Sequence, residues 1–259
     1  MAEQEFGQLL RAVGRLLEDV DGHARRVVDD CRRWLRLLGP AGAALDRLAG
    51  QVEQAAGDAA NLLESLLQRP GDPIALHKAA ARWRVGVAAP AGARAATFTA
   101  EFARADDHWR GPAADAYLAT LPPQHRALAE THEIAAAAAD SLQESAAALL
   151  AFWAAAVPAL TSVSAELAAA AAMTADPFTA PAGAALALAA LAEGIAVVNG
   201  LTRALSEVLD RERRTQESQL ARLADAAVFP GGRWPVAAAE SLSDASLSDG
   251  DGTDWSLIR

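Results

Sequence analysis

Two interleaved rows of apolar residues run through the first 38 positions at strict sevenfold spacing. Phe6, Val13, Val20, Val27 and Trp34 form one row, and Leu10, Leu17, Ala24, Cys31 and Leu38 form the other. Together they draw one continuous apolar seam along a helix, the pattern of a helix packed nearly parallel to another. Glu18, Asp19, Arg25, Arg26, Asp29, Arg32 and Arg33 fill the positions between as a solvated face. The spacing returns farther on. Leu121, Leu128, Ala135, Leu142, Leu149, Ala156 and Val163 make one row; Leu118, His125, His132, Ala139, Ala146, Trp153, Leu160 and Leu167 make its companion.

Strong breaks separate the helical stretches. Gly39-Pro40 ends the first helix, and a second is expected from about Ala41 to Gln68 with Leu45, Leu48, Val52, Ala59, Leu62, Leu63 and Leu66 inward. In Arg69-Pro70-Gly71-Asp72-Pro73, Asp72 suits an N-cap and Pro73 the first turn of a third helix. That helix carries Pro90 between Gly86 and Gly92, which predicts a kink or short break. Residues 106–112 read as a tight turn. The helix that follows is expected to bend, without losing its seam, at Pro122-Pro123 and Pro158. After a loop over 176–181, a last helix is expected from about Ala182 to Ala227, with Leu188, Leu191, Ile195, Val198, Leu205 and Leu209 inward.

Hydrophobic types make up 52% of the chain but aromatics only 5%, so alanine carries the apolar share. Alanine favours helix and buries little surface, and β-branched and aromatic residues are too sparse for a sizeable sheet. The expected fold is all-α: an elongated bundle of long antiparallel helices. An N-terminal helical hairpin is expected over 1–69, a second helical domain over 70–229, and a disordered acidic tail over 230–259. That tail ends in the apolar cluster Trp255, Leu257 and Ile258, which suits a docking peptide.

A net charge of −10 argues against general nucleic-acid binding, which needs a cationic surface. Cys31 is the single cysteine, so neither an intrachain disulfide nor a Cys-based zinc cage can form; its place in an apolar row makes it a small buried hydrophobe. No apolar run marks a Sec signal in the first twenty residues, which leaves the cytoplasm or another export route. His125 and His132 stand seven apart, whereas metal ligands on one helix sit three or four apart. His132-Glu133 lacks the second His of a zinc protease, and the Gly clusters lack the Lys-Ser/Thr of a phosphate loop. The expectation is a protein with no catalytic residues, metal or cofactor, and not an enzyme.

Trp109 stands at a helix-to-helix turn where Gly111 frees the backbone and Pro112 is preset for the next helix. The run Trp109-Arg110-Gly111-Pro112-Ala113-Ala114-Asp115-Ala116-Tyr117 resembles the turn of the WXG superfamily, helical-hairpin proteins exported by type VII (ESX) secretion systems. The stretch Gly71 to Trp83 resembles the opening of its longer actinobacterial members, in which a Trp precedes the Trp-X-Gly turn by several helical turns. The likeness extends over roughly Gly71 to Arg214. It implies a Trp-X-Gly helical hairpin carried by Trp109, Gly111, Pro112 and Tyr117, with Trp83 in support. It also implies pairing with a small helical WXG-type partner or with a second copy, and presentation to a secretion ATPase. The family's export signal, Tyr-X-X-X-Asp/Glu, has no counterpart after the turn, since Tyr117 is followed at the fourth place by Leu121. Either a partner carries that signal and the protein is secreted or reaches the cell surface by the type VII route, or the chain stays cytoplasmic.

The leading function is a secretion substrate, adaptor or toxin-delivery module acting by helix pairing; the alternative, not favoured because of Pro158, Glu166, Glu193 and alanine's weak membrane affinity, is a membrane-inserting or pore-forming helical protein. Ser145 to Met173 and Phe178 to Leu201 supply the second reading, each being apolar and of spanning length.

Overall fold

The computed structural model describes residues 2–38, 42–98 and 112–235, with side chains described in 4–35, 42–98 and 118–235. Among these the chain is all-α, with no strand. In order, the elements are α1 (Ala2–Leu38), α2 (Gly42–Gln68), α3 (Pro73–Trp83), a π-helical stretch (Arg84–Ala88), α4 (Ala89–Thr97), α5 (Pro112–Thr174), α6 (Ala180–Leu223) and a 3-10 turn (Pro230–Gly232). Two compact units result: Met1–Ala75 with Glu144–Asp210, and Leu76–Gln143 with Arg211–Arg259. The units are not consecutive blocks of the chain, because α5 and α6 each contribute to both.

In the first unit the sevenfold rows do what their spacing implies. Val13, Val20, Ala24, Val27 and Cys31 of α1 are buried, as are Leu45, Ala49, Val52 and Leu63 of α2. Their partners are Trp153, Ala156, Leu160, Leu167 and Ala170 of α5, and Ala184, Ala187, Leu191 and Val198 of α6, in two adjoining apolar clusters. Alanine lets α5 and α6 approach closely, and two glycines on one face of α6 set the distance. A Cβ on Gly183 would lie 2.8 Å from the Ala170 carbonyl oxygen, and one on Gly194 would lie 2.8 Å from Val163 Cγ2. The larger side chains lock the ends of the unit by hydrogen bonds. Trp34 Nε1 donates to the Thr174 carbonyl at 2.9 Å, and Trp153 Nε1 donates to the Pro70 carbonyl at 3.0 Å.

Several local expectations take definite form. Asp72 Oδ1 accepts the Ala75 N–H at 2.8 Å, an N-cap one residue before the buried Pro73. Gly71 has φ +74°, and a Cβ there would stand 2.9 Å from Leu149 Cδ1, so both backbone and space require glycine. Helix α5 passes through Pro158 unbroken. Pro158 and Ala154, whose carbonyl the proline leaves without its N–H donor, are both exposed, so water can take over. The last long helix ends at Leu223 rather than about Ala227. Leu209, expected inward, is 41% exposed. Residues 230–235, assigned by composition to the tail, begin with the 3-10 turn, where Gly231 and Gly232 adopt positive φ.

Candidate functional site

The second unit carries the Trp83 position and the irregularity beside it. Pro90 has no N–H to return to the Gly86 carbonyl four residues back, and its ring crowds that carbonyl. The chain answers just upstream by widening to π geometry, in which the Ala89 N–H bonds to the Arg84 carbonyl five residues earlier. The expected kink at Pro90 is thus a one-residue insertion in the helical register.

That insertion decides which side chains face the core. Ala80, Ala88, Ala91 and Ala95 are buried, and the step from 80 to 88 is one residue longer than two regular turns. Residues 81–86 are all exposed. Among them Trp83 is 43% exposed and Val85 is 72% exposed, two large apolar side chains two residues apart. The surface is held from behind by α5. Arg84 pairs with Asp140 and donates to Gln143 Oε1 at 3.1 Å. His132 Nδ1 lies 2.8 Å from the Ala88 carbonyl, and a Cβ on Gly92 would stand 2.8 Å from the same nitrogen. Farther along α5, Ala127 and Ile134 bury Phe229, and Arg222 bonds to Glu130. That carboxylate holds the Arg222 guanidinium above its ordinary pKa, chiefly through the hydrogen bond.

Of the residues singled out from sequence, Trp83 lies on this surface. Pro112 opens α5, and the Tyr117 side chain falls outside those described. Trp109, Gly111, Trp255, Leu257 and Ile258 lie outside the described residues, so the Trp-X-Gly corner and the tail peptide have no structural account here. Val85 was not foreseen; the signal for it was Pro90 placed four residues after Gly86. Phe178, in the loop between α5 and α6, is 90% exposed and was likewise not foreseen as a surface aromatic.

Cys31 is fully buried, and burial, then the neighbouring Asp30 charge, push its thiol up to about 11, so it stays protonated and unreactive at neutral pH. A cleft of about 340 Å³ between α1 and α2 is rimmed by charges that satisfy each other, with Arg25 to Asp21 and Arg32 to Glu53 both at 2.5 Å. Among the described residues no group of three or more His, Cys, Asp or Glu side chains is placed to hold a metal ion. Compared with known protein families, curated proteins and solved structures, the chain matches none.

Proposed function

We propose that this protein acts by binding, without catalysing a reaction, through the surface that the π-helical stretch turns outward. The observation that carries this reading is the pair Trp83 and Val85, large and apolar, held on a helix backed by α5. A lone exposed Val is unremarkable. A half-exposed Trp in the same exposed segment, at a register break of the kind that recurs at functional sites, has the composition of an interface anchor. The alanine interface behind it buries little area, which gives a partner's added surface a stabilising role.

The partner that fits is a small helical protein laying an apolar stripe against 81–86, or a second copy doing the same. The resemblance of Trp109-Arg110-Gly111 and its surroundings to the WXG turn supports a type VII secretion substrate, adaptor or delivery module, secreted with its partner and offered to a secretion ATPase. Sedimentation of the protein purified under native conditions from its producing cells tests the reading. The expected species is a complex of defined mass above 26.8 kDa. The substitutions Trp83→Ala and Val85→Asp together should return it to the mass of the chain with helicity unchanged. A strictly monomeric wild-type protein in those cells contradicts the proposal.

A further inference from the structure

From Ser145 to Thr202 the charged side chains are Glu166, Asp176 and Glu193, with no Lys, Arg or His. This stretch forms a helical hairpin from the second half of α5 and the first half of α6, closed by a short loop that presents Phe178. Helices α5 and α6 each contain an 18-residue segment apolar enough to cross a bilayer, and only 33% of each segment is buried. A helix apolar around its whole circumference ordinarily lies inside a protein core or a membrane. These two are covered on one side by α1 and α2 and left open on the other.

The open side is continuous. Ala148, Ala151, Phe152 and Ala155 face Leu201, Leu205 and Val208 across a groove of about 290 Å³. The same two stripes extend toward the loop through Ala159, Ser162 and Glu166 on α5 and Ala190, Glu193 and Val197 on α6. Its polar side chains are thus Ser162, Glu166 and Glu193, and Ser162 donates to Glu166 at 3.3 Å.

We infer that the α5–α6 hairpin is a membrane-entering element, and that the occupant of its open apolar face is the hydrocarbon of a lipid bilayer. Length favours lipid over a protein partner. Ser145 to Met173 would span about 44 Å and Ala180 to Thr202 about 34 Å as helices, against a hydrocarbon thickness of about 30 Å. The close approach at Gly183 and Gly194 is the small-residue contact that lets helices associate where no hydrophobic force drives them together. Pro158 is tolerated in such a helix, and Phe178 stands at the leading tip. On entry the hairpin exchanges its contacts with α1 and α2 for lipid.

Two carboxylates, Glu166 and Glu193, oppose entry: taking them out of water costs free energy, and a neutral amide at the same positions costs less. Around the loop, Asp176 accepts the Phe178 N–H at 2.7 Å, and on α1 Arg33 is held by Asp30 at 3.0 Å beside Thr174. On α2, Glu53 is held by Arg32 of α1.

The test uses the full chain and vesicles of three parts phosphatidylcholine to one part phosphatidylglycerol, at pH 7.4. The readouts are co-flotation and the emission of an environment-sensitive dye on Phe178→Cys, made in a Cys31→Ala background. Wild type is expected to float with the dye in an apolar setting. Glu166→Gln with Glu193→Gln is expected to float at a lower lipid concentration. Val197→Lys, at an exposed position that leaves the soluble fold intact by circular dichroism, is expected to lower partitioning by about 10-fold. Three results would overturn the inference: no flotation of wild type, Val197→Lys floating as well as wild type, or Val197→Lys halving the mass in solution, which would assign the face to a second copy. None of them bears on Trp83 and Val85, whose test is separate.

Discussion

Replacing single glycines of α6 by alanine should give opposite signs at two positions of one helix. At Gly200, a Cβ would meet nothing within 4 Å. Alanine there gains only helix propensity, about 0.8–1 kcal/mol of stability. At Gly183, the new Cβ would stand 2.8 Å from both the Ala170 carbonyl oxygen and Thr174 Cγ2, and 3.0 Å from Met173 Cβ. A backbone oxygen cannot rotate away, so α5 and α6 must part. Overpacking of this kind costs about 1–3 kcal/mol, of which propensity offsets less than a full share in the first turn of the helix. Gly200→Ala is therefore expected to stabilise and Gly183→Ala to destabilise, with about 2–3 kcal/mol between the two variants. Urea unfolding followed by far-ultraviolet circular dichroism reads this as a separation of midpoints of about 1 M for a slope near 2–3 kcal/mol/M. If Gly183→Ala stabilised as much as Gly200→Ala, the close contact of α5 with α6 would be refuted, and with it the packing of the first unit.

Two further outcomes follow from the same unit. Above pH 9 an unfolded thiol releases its proton, while Cys31, held at about 11 by burial, keeps it. The folded chain then binds more protons, so stability is complete below pH 9 and is lost as pH rises toward 11, by about 2–3 kcal/mol. Denaturant midpoints measured from pH 8 to 11 should fall in wild type and lose that component in Cys31→Ala; equal slopes would refute the burial argument. Asp72→Ala removes the acceptor of the Ala75 N–H and should cost about 1 kcal/mol, with Asp72→Asn recovering most of it. Equal stability of the alanine and asparagine variants would show that the cap does not hold α3.

The parts of the fold legible in the sequence were those where large side chains mark a period. Val13, Val20 and Val27 are seven apart among charged neighbours, so only one face could be buried, and it is. Asp72-Pro73 was legible because cap and first-turn chemistry are local. The partner of each face was not, since a row of sevens says that a helix packs but not against what; residues 144–210 folding with 1–75 is a product of the whole chain. Alanine hides more. Around Trp83 it occupies positions 79–81 and 88–89, buried and exposed alike, so the apolar pattern does not show the one-residue slip, and Pro90 marks only where the helix is disturbed. Leu209 was misplaced for a related reason: the apolar period of α6 continues past the helices that cover it. The open face of α5 and α6 is equally invisible, because a helix apolar all round gives no clue to which side stays uncovered.

Two apolar surfaces of this chain, one at Val85 and one at Val197, are proposed to be covered by a helical protein and by lipid respectively. In-cell photo-cross-linking tests both at once, with p-benzoylphenylalanine placed at Val85, at Val197, or at the exposed Ser218 of α6 as a control. Mass spectrometry is expected to find a discrete protein adduct from Val85, a lipid adduct from Val197 and neither from Ser218. Adducts of equal yield and kind at all three positions, or none at the two valines, would contradict the account.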